Sequence, residues 1–136
     1  MLHNRKKTIA VDFDGTLTVS SAWPKIGAPN WPVINRAIQE KQNGAALILW
    51  TCREGKLLDE AISACSSWGL TFDAVNDSTE EWKKFFGNSP RKVGADEYWD
   101  DRSVDIRQLS TAGSVPLVPD TDKEDSRYTQ PVYSIF

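Results

Sequence analysis

The chain is short of the residues on which most nucleophilic and zinc chemistry rests. It has one histidine, His3, and two cysteines, Cys52 and Cys65, among its 136 residues. A structural zinc centre draws four Cys and His ligands, more than the whole chain contains. A Ser–His or Cys–His pair would have to recruit its histidine from the third position, ahead of the first strand. Long apolar runs are missing too, and no stretch nears the roughly 20 residues that cross a bilayer. The opening lacks a signal-like apolar segment, because Lys6 and Lys7 lead straight into a strand, so the reading expects a cytoplasmic protein with no membrane partner. Cations are not in surplus either. Sixteen Lys and Arg stand against nineteen Asp and Glu, which argues against an electrostatic grip on long nucleic acid. The basic opening MLHNRKK reads as a solvated approach to the first strand. The chemistry that remains runs on carboxylates, Lys or Arg, and hydroxyls.

What is present is the patterning of one modest core, with 40% hydrophobic and 26% charged residues. Thr8–Phe13 is a β-branched apolar run that stops at Asp14-Gly15, a buried strand ending in a tight turn. Residues 18–32 carry Pro24, Gly27, Pro29 and Pro32 and read as irregular. Val33/Ile34 and Ala37/Ile38 have helical spacing, with Asn30 placed to cap, Pro32 in the first turn and Asn43-Gly44 closing. Ala45–Trp50 is a second buried strand. Leu57/Leu58, Ala61/Ile62, Cys65 and Trp68 then fall on one helical stripe that Gly69 ends. Phe72–Val75 is a short third strand, a helical turn is expected near Glu80–Phe86, and Ala95–Trp99 is a fourth strand. Val115–Val118 is a fifth strand candidate. Positions 119–130 are polar, and the tail ends in Tyr133–Phe136.

Alternating strands and helices predict an α/β fold: a three-layer, Rossmann-like domain with a mainly parallel sheet and a minimal cap. Residues 1–110 are assigned to that domain, and 111–136 to an extension that is either part of it or a tail. In such sheets the site lies beyond the C-terminal strand ends. There the sequence sets Asp12 and Asp14, Thr51, and Asp100 and Asp101. Alternation puts Asp12 and Asp14 on one side of the chain, and Gly15 permits the turn after them. Neighbouring carboxylates repel unless a cation or a shared proton separates them, and magnesium favours such oxygen donors.

Asp12-Phe-Asp-Gly-Thr16 resembles the DxDGT first motif of the haloacid dehalogenase superfamily of phosphatases. Thr51 resembles its second motif, Lys92 its third-motif lysine, and Tyr98-Trp-Asp-Asp-Arg102 its acidic fourth motif. The likeness spans roughly residues 7–105, with the motifs in order. The Trp50–Gly55 block (Trp-Thr-Cys-Arg-Glu-Gly) and the Pro24–Gly27 block (Pro-Lys-Ile-Gly) are similar to those of small, largely uncapped members. The resemblance implies a magnesium-dependent hydrolase of phosphate monoesters working through an aspartyl-phosphate. Asp12 would be the nucleophile and Asp14 the acid and base. Thr51 and Lys92 would bind the phosphoryl group. Magnesium would be held by Asp12, the Asp14 carbonyl and Asp101, with Asp100 behind them.

Other readings stand beside these. Lys83, Lys84 or Arg91 could serve instead of Lys92. Arg53 could contact substrate, as could Trp23, whose ring could stack on a base or sugar; loop packing is the plainer role for that ring. Cys52 reads as a partly buried small residue rather than a nucleophile. The substrate is expected to be a phosphorylated small molecule. The alternatives are a nucleotide or nucleic-acid end, or a non-catalytic phosphate- or metal-binding module that kept the fold.

Overall fold

The structure, a computed structural model, describes residues 5–109. Four short strands, β1 (Thr8–Val11), β2 (Ala46–Leu49), β3 (Ala74–Val75) and β4 (Glu97–Trp99), form one sheet in the order β3-β2-β1-β4. Every pairing is parallel. Strands β1 and β2 lie in the middle and are buried at every residue, which is why both read as unbroken apolar runs. Strands β3 and β4 are edge strands, short and only partly covered, and their sequences are correspondingly mixed. At the other end of the sheet the Asp96 and Asp73 carboxylates accept the backbone N–H groups of Thr8 and Leu47.

Helices α1 (Trp31–Gln42) and α2 (Gly55–Ser67) set Ile34, Ala37, Ala61 and Cys65 against Ile9, Val11, Leu47 and Leu49 of one sheet face. The opposite face is thinner: Ala10 and Ile48 pack under Val93, flanked by Trp50, Ala74 and Ala95. The Trp82 indole of α3 (Glu80–Phe86) lies so close to Gly94 that a Cβ there would collide with it. This is an α/β, Rossmann-like three-layer domain with an all-parallel sheet. No helix among the described residues is long and apolar enough to cross a membrane.

Several local expectations change. Asn30 does not cap α1 with its side chain; its amide donates to the Thr16 carbonyl, joining the helix start to the loop after β1. Residues 18–29 are more regular than their prolines suggest. Thr18 bridges Pro29 and Ala22 bridges Lys25, both antiparallel, so the segment doubles back as a small flap. A Cβ at Gly27 would sit 2.5 Å from the Ser20 carbonyl oxygen, so glycine is what lets the two arms close. Cys52 is exposed, not partly buried, because it already belongs to the loop leaving β2. α3 is a complete short helix: the Thr79 hydroxyl accepts the Trp82 N–H, and Gly87 ends it at φ 72°.

The strand expected at 115–118, the polar stretch 119–130, the tail and the extension 111–136 lie outside the described residues. The chain divides after Ser103. The described part beyond it holds one 3-10 turn, Ile106–Gln108, with the Asp105 carboxylate accepting the Arg107 N–H.

Candidate metal and phosphate site

The Asp12 backbone N–H donates to the Trp99 carbonyl at 2.9 Å, locking the end of β1 to the end of β4. That single bond sets Asp12 beside the Asp100-Asp101 pair, which follows β4 directly. Carboxylate oxygens of Asp12, Asp100 and Asp101 all lie within 4.8 Å of one another. After Asp12 the chain turns sharply: the Phe13 carbonyl accepts from Thr16, Leu17 and Thr18. Gly15 takes φ 86°, and a Cβ on it would stand 2.6 Å from an Asp101 oxygen. Both the turn and the closeness of Asp101 therefore require glycine.

Thr16 joins the acids. Its hydroxyl lies 3.1 Å from an Asp12 oxygen and 3.1 Å from an Asp101 oxygen, and accepts the Asp101 N–H at 2.9 Å. One hydroxyl proton serves two carboxylates, so the charge there is incompletely met. Among the described residues no Lys or Arg side chain forms an ion pair with Asp12, Asp100 or Asp101. The Asp12 carboxyl is accordingly raised to about 6. Burial is the main cause and the Asp100 charge adds to it, while hydrogen bonds from Thr16 and the Phe13 backbone pull the other way. A hard divalent cation fits this donor set, since three oxygen acids with unbalanced charge are what such an ion relieves.

The acids open onto a cleft of about 520 Å³ that is also lined by Asp14, Ser21, Trp23, Thr51, Cys52 and Arg102. Thr51 is fixed from both sides: its N–H donates to the Asn76 side chain, and its hydroxyl accepts the Arg53 N–H. The hydroxyl proton of Thr51 meets no acceptor among the described residues and is available to a ligand. A neighbouring groove of about 610 Å³ reaches Asp100 and Asp101 from the α1–β4 side.

Asp14 and Arg53 form a unit of their own. Arg53 Nε and one terminal nitrogen each donate to Asp14 at 2.8 Å, a two-pronged ion pair. The remaining N–H groups reach the carbonyls of Pro24, Lys25 and Leu57. All five donors are thus engaged, and the side chain is fully buried. Arg53, which the sequence left open as a substrate contact, here holds Asp14 and the flap together.

The structure brings Asp12, Asp14, Thr51, Asp100, Asp101 and Trp23 to one cleft and leaves Lys92 out of its lining. Lys92 is exposed, with its ammonium 5.2 Å from the Tyr98 ring centre. Lys83 is paired with Asp77 and Glu80. Among the described residues the cation lining the cleft is Arg102, which the sequence showed within the acidic block but did not single out. Thr16 and Asn76 were also missed. Asn76 sits at φ 51°, a conformation that asparagine tolerates, directly after a strand.

An α/β parallel-sheet protein with an acid cluster at its strand ends is the class that fold and site define. A solved structure, of a conserved protein coded by a locus from Bacteroides thetaiotaomicron, is similar at 34% identity and a TM-score of 0.64 over 96% of this chain and 98% of its own. The chain belongs to the family of that conserved protein. No family model matches the sequence, and no curated protein matches it.

Proposed function

We propose that the protein is a phosphohydrolase of the haloacid dehalogenase type, cleaving a phosphate monoester with magnesium and an aspartyl-phosphate intermediate. The observation that carries the reading is the meeting of Asp12, Asp100 and Asp101 at the ends of β1 and β4, with the open hydroxyl of Thr51 across the same cleft. Asp12, Asp100 and Asp101 would hold the magnesium, which when bound offsets the negative charge gathered between phosphoryl oxygens and carboxylates.

An Asp12 oxygen attacks phosphorus as the ester oxygen departs, forming the acyl phosphate; attack by water on phosphorus then regenerates the carboxylate and releases phosphate. Thr51 donates its free proton to a phosphoryl oxygen. Arg102 at the cleft wall supplies the cationic help that Lys92, over Tyr98, does not give in this arrangement. Asp14 lies where a proton could pass to the leaving oxygen or from the water. Both its oxygens accept from Arg53, so one must turn from the guanidinium to make that transfer.

The test is chemical trapping. Enzyme turning over a phosphate ester is acid-quenched, reduced with borohydride and digested, and homoserine at position 12 is sought by mass spectrometry. Homoserine there, dependent on magnesium, supports the reading. Turnover with an unmodified Asp12 overturns it.

A further inference from the structure

Trp23 is an anomaly of placement. It lies at the cleft mouth with 53% of its surface exposed, yet it is not loosely held. The Arg53 guanidinium lies over its ring, 5.1 Å from the centre, and over that of Phe13, also at 5.1 Å. The same guanidinium holds the carbonyls of Pro24 and Lys25, the two residues after Trp23. The flap is folded back on itself by the Ala22–Lys25 bridge. One side of the indole is therefore backed by a fully buried, fully bonded arginine, while the ring as a whole stays half open beside the acids. An exposed aromatic ring normally costs side-chain entropy to order when a ligand arrives. Here the protein's own bonds have already ordered it.

We propose that Trp23 is a stacking platform for a planar ring on the alcohol side of the ester, so the substrate class is phosphate monoesters of ring-bearing alcohols, with nucleoside monophosphates the plain case. Arg53 is the positioning residue that holds the platform. This rests on the reading of the acid cleft as the phosphate site. It adds which part of the substrate the protein recognises apart from its phosphate. A flat apolar indole face gains by covering a flat π-surface and gains nothing from a small polyol, so ringless phosphates should bind through the phosphate alone. Stacking also tolerates any base, which predicts weak discrimination among nucleobases.

The experiment measures equilibrium binding, with magnesium, to Asp12→Asn protein, so that ligands survive. Adenosine and uridine monophosphates and 4-nitrophenyl phosphate are compared with glycerol 3-phosphate and phosphoserine. Ring ligands should bind about tenfold more tightly, and Trp23→Ala should abolish that margin without changing the ringless set. Trp23→Phe, which keeps a ring and guards against a collapsed flap, should retain part of it. Arg53→Lys should lower the margin by loosening the platform, and a margin unmoved in Arg53→Lys would overturn the positioning role given to Arg53. If nucleotides bind and 4-nitrophenyl phosphate does not, the class narrows to nucleotides; the reverse pattern narrows it to small aryl esters. Equal binding of ringed and ringless phosphates, or a margin unmoved in Trp23→Ala, overturns the inference while leaving the phosphate site intact. Trp23-dependent binding together with no hydrolysis of any ligand by the wild type would instead overturn the catalytic reading alone.

Discussion

The Asp12 carboxyl shows how one position ties folding to the site. Its folded value of about 6 lies above the ordinary 3.8, so the folded protein keeps the proton that the unfolded chain has already lost. Stability from this group is present at low pH and drains as pH rises through the window between those values. Magnesium should return it, and only where Asp12 is ionised. We therefore expect thermal unfolding at pH 7.5 to shift upward with magnesium and to respond little at pH 5; an equal shift at both would contradict the assignment. The glycine next door makes a second prediction. Gly15→Ala forces a Cβ into the space of an Asp101 oxygen at a backbone angle that alanine resists. It should cost about 1–3 kcal/mol of stability in urea and weaken magnesium binding by calorimetry. The thiols supply a third. Burial pushes Cys65 up to about 12, whereas Cys52 is exposed at the cleft. One equivalent of a thiol reagent should react in the native protein, at position 52, and the second only on unfolding.

At the scale of elements, the two central strands and the first two helices were legible because their signals are strong and local. β1 and β2 read as buried runs since both faces of the sheet are covered, and α2 shows its core stripe in sequence as it does in space. The edge strands were overestimated in length, because half-covered positions tolerate Asp73, Glu97 and similar residues that blur the ends. The flap was not legible. Its order comes from Gly27 closing on the Ser20 carbonyl seven residues earlier in the chain, and from Arg53, a residue of a different loop. That dependence makes a prediction. Arg53→Met leaves Asp14 without its cation and strips the donors from the Pro24 and Lys25 carbonyls, so it should lower unfolding free energy by about 3 kcal/mol in urea titration. A loss well under half of that would mean that the flap is held by something other than this guanidinium.

At the scale of the whole described domain, the acid cluster and Thr51 gather where a parallel sheet gathers its strand-end residues, at the carboxyl ends of β1, β2 and β4. The acids were legible because the rule for strand ends needs only the strands, and Asp12, Asp100 and Asp101 directly follow them. The supporting set was harder to see. Thr16 and Asn76 matter through Asp101 and Thr51, partners distant in sequence, and nothing local marks which threonine or asparagine will meet a carboxylate or a backbone N–H. Lys92 rests on its likeness to a third-motif lysine and its place just before the acid-bearing strand, and position along the chain does not say which way an exposed lysine turns. The most direct test of the account is phosphate release from 4-nitrophenyl phosphate and a nucleotide panel, with magnesium or EDTA, for the wild type and Asp12→Asn side by side. Turnover should need magnesium and be lost in Asp12→Asn. Turnover that survives either EDTA or the substitution would contradict it.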